Sequence, residues 1–499
     1  MTASALLQAQ CLEQATQDVH DRHRKPHAPG ANDDLTVPAR PLTVRLSGFP
    51  KLKWDAVALA TAVLLVLAIV FGGASRQHAL RLALVELAAL PLLFVAAARI
   101  SRDGIPSACR TSLFLVGSLC VLPLLQVVPL PPQIWTSLAG RDQLSLALSL
   151  AEIPEAWLPL SLTPERTWRS FLALLPPVSM FLAMLVTPGP AKMRWVYLLL
   201  GMASISLVLG GLQIASGSTR FYPWATTAAG NMVGFFANRN HLATLLLICI
   251  PFAAVIAAGS LRRGGDSRAP LWLGAIFIGL CIIALAAIRS RAGIILATPC
   301  LILSFLAAWI STGSRRPPMA FLGLIGAAAL ALGVIGAVAL PPLLNRFDPG
   351  ATPEGRFENW PVVASAAETY LPLGSGIGSF DAVYRSVEPL ERLDPLFFNQ
   401  AHNEYLETWL EAGWLGAALI LAFLVWWGRR SWAAWRSPPS GAADLQRAAS
   451  VAILMVLLHS GVDYPLRTVA IAVVFAMCAA FLEGAALPIE RVRRRVRTD

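Results

Sequence analysis

Apolar residues fall along this chain in long runs of about 17 to 25 residues, the length an α-helix needs to cross a bilayer. The runs lie near 54–73, 79–98, 111–129, 168–187, 194–216, 241–260, 270–288, 292–310, 319–340, 413–428, 447–460 and 467–485. They predict an all-α, polytopic integral membrane protein with about twelve transmembrane helices. Two polar connections are much longer than the rest. One runs from about 130 to 167 and holds PPQIW and LSLTPERTW, a candidate interfacial helix with Trp135, Trp157 and Trp168 at headgroup depth. The other joins spans 9 and 10 over 341–412 and is rich in Pro, Gly, charges and aromatics, which predicts a functional extramembrane loop with short helices.

At the end of that loop and running into span 10, the stretch Gln400–Gly416, QAHNEYLETWLEAGWLG, has a helical pattern. At 100° per residue His402, Tyr405, Leu406, Trp409 and Leu410 share one face, and Glu404, Glu407 and Glu411 the opposite one. The histidine then sits on the buried-looking face, either as a core residue bonded to a carbonyl or as a reactive group.

Composition strengthens the membrane reading. Hydrophobic residues make up 56% of the chain and charged ones 14%, with a mean hydropathy of +0.61. A soluble protein of 499 residues could not bury that much apolar surface. The net charge of +11 does not imply nucleic acid, because the basic residues sit between spans instead of clustering on a groove-sized face. The seven cysteines are scattered without CxxC spacing, so they read as small apolar residues.

An even span count puts both termini on one side. With that side cytoplasmic, most of the 40 Lys and Arg lie inside, as the positive-inside rule requires. Residues 1–53, polar and without the early apolar segment of a cleaved signal, read as a disordered basic cytoplasmic tail, and 486–499 as a second basic tail. Spans 1–9 occupy 54–340 and spans 10–12 occupy 413–485. Every basic residue on the outer side is then an arginine, the residue suited to bidentate contact with phosphate oxygens.

Four outer positions could carry chemistry. Asn238, Arg239, Asn240 and His241 open the sixth span, where they could cap the helix or receive an anion. Arg289-Ser290-Arg291 sits in a very short turn between two spans, where its arginines either snorkel or meet an anion. Arg356 opens RFENW and is followed by GSGIG over 374–378, which lacks the frame of a nucleotide fold and reads as a tight turn. HSGVDYPLR over 459–467 places Asp463 and Arg467 four apart, where they could pair with each other. No Gly-x-Ser-x-Gly, HExxH, Walker A or outer Asp-x-Asp pattern is present.

GFFANRNHLA, SRAG, RFENW with PLGSGIGSF, AHNEYLETWLEAGWLG and HSGVDYPLR follow one another in the order of the O-antigen ligase and polymerase family, bacterial envelope glycosyltransferases, and the chain resembles that family over about 230–470. The resemblance implies a GT-C-type helical scaffold in the bacterial cytoplasmic membrane and an inverting, metal-independent transfer needing no cofactor. The donor would be a glycan on polyprenyl diphosphate, and the acceptor a hydroxyl of a glycan, lipid A core or protein, on the outer, periplasmic side. His402 would activate that hydroxyl. Arg291, with Arg239, would hold the diphosphate, and Arg289, Arg356, Asn240, Asn403, Asp463 and Arg467 are further candidates for substrate contact. A transporter or flippase for the lipid-linked glycan, without covalent chemistry, is the alternative from another class.

Overall fold

The computed structural model describes residues 55–73, 79–104, 107–153, 156–223, 230–262, 268–317, 356–392 and 398–484, with two isolated positions between 318 and 340. The proposed N-terminal tail, the predicted span 319–340, the first part of the long loop and the C-terminal tail lie outside the described residues.

The fold is a helical bundle. In chain order its helices are α1 (Ala56–Phe71), α2 (Ala79–Asp103), α3 (Arg110–Gln126), α4 (Pro132–Trp135), α5 (Asp142–Leu150), α6 (Pro164–Leu172), α7 (Leu175–Val186) and α8 (Gly189–Ala215). They continue with α9 (Arg239–Arg262), α10 (Ala269–Ile288), α11 (Arg291–Thr312), α12 (Arg356–Thr369), α13 (Phe380–Val387), α14 (Glu404–Arg436), α15 (Gly441–Ser460) and α16 (Val469–Leu482). The strand content among the described residues is one antiparallel pair, Pro129–Leu130 against Leu158–Pro159. Nine helical segments among the described residues are long and apolar enough to cross a membrane, and α1 and α16 are apolar but shorter, at 16 and 14 residues. Each predicted run other than 319–340 falls on one of these helical segments.

Two boundaries differ from the hydropathy reading for identifiable reasons. The run 168–187 belongs to two helices, because Pro176 and Pro177 in the first turn of α7 lack the N–H groups that would continue the ladder from α6. Span 10 was expected from 413, yet α14 begins at Glu404 and breaks at Gly413, whose φ of +54° is left-handed. The polar helical stretch expected over 400–416 and the apolar span from 413 are thus two segments of one kinked helix.

The centre of the bundle is α9, apolar on every face and buried on nearly all of them by α10, α11 and α15. Outer helices instead expose large apolar side chains suited to lipid, among them Phe94 on α2, Phe114 on α3, Ile283 on α10 and Ile302 on α11. Trp135 is packed inside the protein, 1% exposed, and its indole donates to Ala156 O at 2.9 Å. Trp157 and Trp168 are exposed. Trp135 turns inward because its short helix folds back on the β-pair to close a compact connection.

At the C-terminal ends of α9 and α11, Asp444 of α15 gathers Arg262 Nη2 at 2.6 Å, Ser311 Oγ at 2.7 Å and Arg447 Nη1 at 3.1 Å. Arg447 is fully buried. Asp444→Ala strands that charge and is expected to cost about 3–5 kcal/mol, visible as a lower thermal unfolding midpoint in detergent.

Candidate functional site

At the opposite end of the bundle, the first turns of α9, α11, α14 and α16 and the end of α15 meet. A Cβ on Gly293 of α11 would stand 2.9 Å from Ala243 Cβ of α9, so these two helix starts are side by side. Thr244 of α9 bonds His459 Nδ1 of α15 at 2.8 Å, and His241 Nδ1 lies 2.8 Å from Thr468 Oγ1, the residue that precedes α16. Tyr405 Oη of α14 donates to Leu457 O of α15 at 2.6 Å.

The GFFANRNH segment is shaped by a residue the sequence did not single out. Gln213 of α8 is buried, accepts from the N–H groups of Val233 and Gly234 at 3.0 and 2.9 Å, and donates to Gly234 O at 2.9 Å. Asn238 Oδ1 accepts from Asn240 N at 2.9 Å, so the capping reading applies to Asn238. Asn240 Nδ2 donates to Asp463 Oδ2, which joins two expected substrate ligands to each other. Arg239 opens α9 half-buried, with Nη1 3.3 Å from Asn231 Oδ1.

The two arginines of the short turn are not equivalent. Arg289 takes the left-handed C-cap position of α10, with φ +55°, and is exposed. Ser290 caps α11 by accepting from Gly293 N at 3.1 Å, and Arg291 is the half-buried first residue of that helix. Arg239 and Arg291 thus mark two adjacent helix N-termini, where unpaired N–H groups and the helix dipole favour an anion.

His402 is not on a helix face. It precedes the cap residue Asn403, whose Oδ1 accepts from Tyr405 N and Leu406 N at 3.1 and 3.2 Å, and its own φ is +51°. The helical wheel therefore misplaced it, and although Leu410 is buried as expected, the carboxylate face is buried as well. Glu404, Glu407 and Glu411 are 7%, 0% and 1% exposed, while Leu406 and Trp409 are only half-buried. The half-buried His402 ring stacks on Phe398 at 5.4 Å and meets the edge of Tyr464 at 5.0 Å; Tyr464 meets His241 at 5.3 Å on its other side. Nδ1 lies 2.9 Å from Gln400 O. A carbonyl can only accept, so Nδ1 carries the proton and Nε2 is the basic nitrogen of the neutral ring.

Arg467 is the partner of the inward carboxylates. Its Nη2 is 2.7 Å from Glu411 Oε2 and 3.4 Å from Glu407 Oε1, and its N–H donates to Glu404 Oε1 at 3.0 Å. Ser460 Oγ also donates to Glu404. Burial pulls the Arg467 pKa down, but the charges of Glu411 and Glu407 outweigh it and hold it above the ordinary arginine value.

The remaining oxygen of Glu411 accepts from Gly378 N and Phe380 N at 2.9 and 3.2 Å, fastening the GSGIG turn to α14. That stretch is the tight turn expected: Gly374 has φ +84°, and a Cβ there would lie 2.6 Å from Glu411 O. The end of α3 and the first long connection close over it, with Gln126 Nε2 donating to Glu411 O at 3.0 Å, Leu162 N to Ser375 O at 2.9 Å and Arg166 to Asp381 at 2.9 Å. Arg356 begins α12, and its side chain lies outside the described residues.

Residues 274–421 match a family model described as O-antigen ligase, which supports assigning the chain to that family and a glycan-transfer role in polysaccharide assembly. The matched stretch contains Arg289, Arg291, Arg356, His402 and Asn403. Arg239, Asn240, Asp463 and Arg467 lie outside it and reach the same end of the bundle through tertiary contacts. No curated protein matches the chain in sequence.

Proposed function

We propose that this membrane protein transfers a glycan from polyprenyl diphosphate to an acceptor hydroxyl on the outer face of the bacterial cytoplasmic membrane, as a ligase or polymerase of surface polysaccharide. The observation that carries this reading is the convergence of His402, with Nδ1 bonded to a carbonyl, and two arginine-bearing helix N-termini at one end of the bundle.

In the step proposed, the acceptor oxygen attacks the anomeric carbon and gives its proton to His402 Nε2. The bond from that carbon to the diphosphate oxygen breaks, and the diphosphate leaves with the electron pair. Attack opposite the leaving group inverts the anomeric centre. Arg291 and Arg239, with the N–H groups of α11 and α9, would stabilise the growing negative charge more than the ground state, which is what accelerates the step. No metal is assigned a role in it.

The test uses purified full-length protein in lipid nanodiscs with the lipid-linked glycan that accumulates in a deletion strain and the candidate acceptors. The expected result is a new glycosidic product with release of polyprenyl diphosphate. Movement of the donor across proteoliposomes with no product in either assay would overturn this reading in favour of a transporter.

A further inference from the structure

The peptide group joining Gln400 to Ala401 carries a hydrogen bond at each end. Its carbonyl accepts from His402 Nδ1 at 2.9 Å, and its N–H donates to Glu407 Oε2 at 2.9 Å. Glu407 is fully buried, and its other oxygen faces Arg467 Nη2 at 3.4 Å. A carboxylate that accepts from an amide N–H draws the amide towards its charge-separated resonance form, with more negative charge on the carbonyl oxygen. That oxygen then accepts more strongly from the imidazole N–H, which makes Nε2 more basic.

The following peptide is fixed as well. Trp360 Nε1 of α12 donates to Ala401 O at 2.9 Å, and the Ala401 side chain is fully buried. These bonds hold His402 in a left-handed conformation that a histidine rarely adopts unaided.

We propose that Glu407 is a positioning residue for His402, acting through the Gln400–Ala401 peptide to fix the Nδ1–H tautomer and to stabilise the imidazolium formed when Nε2 takes a proton. This rests on the base role of His402 proposed above. It has the logic of a carboxylate–histidine pair with one amide placed between the partners. Glu407 stays ionised, the Nδ1 proton stays on the ring, and the transferred proton resides on Nε2.

Other charged or titratable groups at this end are Glu404 and Glu411 on α14, Arg239 and His241 on α9, Arg291 on α11, and His459, Asp463, Tyr464 and Arg467 around the α15–α16 connection. The bonds seen for Glu404 go to Ser460 and Arg467 N, and those for Glu411 to Arg467, Gly378 and Phe380. Those for Asp463 go to Asn240 and Tyr464 N. Glu407 instead reaches the peptide that the imidazole itself touches.

Glu407→Gln nearly preserves shape, keeps an oxygen acceptor for Ala401 N–H and leaves Arg467 paired with Glu411. In the nanodisc assay with the accumulated lipid-linked glycan, kcat is expected to fall about tenfold to hundredfold while KM for the donor stays within about twofold. The acid limb of the kcat–pH profile is expected to move to lower pH by about half a unit to one unit, because the imidazolium loses a stabilising charge. Trp360→Phe removes only the second bond, and is expected to lower kcat by a smaller factor and leave the acid limb in place. If Glu407→Gln does not fold, as judged by thermal unfolding, Glu407→Asp takes its place, since it keeps the charge but withdraws the carboxylate by one methylene from Ala401 N–H, and wild-type kcat and acid limb in that folded variant overturn the proposal. Wild-type kcat and pH profile in a folded Glu407→Gln protein also overturn it, and an inactive His402→Ala control then shows that the base role survives. An active His402→Ala protein removes both.

Discussion

His402→Ala is expected to lower the rate of glycan transfer by about 10²- to 10⁴-fold, the usual contribution of a positioned general base, while the protein remains folded and inserted. The stability cost is small for a physical reason. His402 is half-buried outside the regular helix, and its ring rests on Phe398 and on the edge of Tyr464, contacts worth about 0.5–1.5 kcal/mol each. His402→Gly makes the separation sharper. Glycine adopts φ near +51° without steric penalty, so this variant recovers about 1–2 kcal/mol of backbone strain. It should therefore unfold at a temperature no lower than the alanine variant and be equally inactive. The measurements are surface polysaccharide in a complemented deletion strain, product formation in nanodiscs and thermal unfolding in detergent. Wild-type product from His402→Ala would end the base assignment.

Arg467→Ala is expected to act first on the fold. It leaves Glu407 and Glu411, both essentially without exposure, facing each other's neighbourhood without their shared cation, at a cost of about 3–5 kcal/mol. Because Glu411 also fastens the 374–378 turn, the loss should spread to the connection between α12 and α13, detected as faster amide exchange there and a lower unfolding midpoint. Arg467→Lys keeps the charge but not the planar fork and should recover part of the stability. If Arg467 served only to contact substrate, Arg467→Ala would raise KM and leave the unfolding temperature unchanged. That result would refute the structural role.

Much of the architecture was legible because helix length and apolar run length report the same quantity, the thickness of hydrocarbon to be crossed. The same logic failed at α14, whose first segment is polar in sequence yet buried in protein. A helical wheel assumes that carboxylates face water. Here Glu404, Glu407 and Glu411 face inward because Arg467, 56 residues beyond Glu411, arrives to neutralise them, and backbone N–H groups of a distant turn complete their bonding. Gln213 went unnoticed for a related reason: one glutamine in an apolar run has no pattern, and its value lies in four hydrogen-bonding groups 8–21 residues away.

The sequence by itself therefore determined a helical membrane protein with histidine and arginine motifs at the mouths of particular spans, since both conclusions depend on local order along the chain. Only the tertiary structure decided that His402 lies before its helix in a left-handed conformation, that Asn238 and Asn403 cap while Asn240 bonds Asp463, and that Arg467 pairs with the buried carboxylates of α14. Hydrogen-bond partners and compensating charges are chosen by proximity across the fold, and a residue's spacing along the chain carries no record of them.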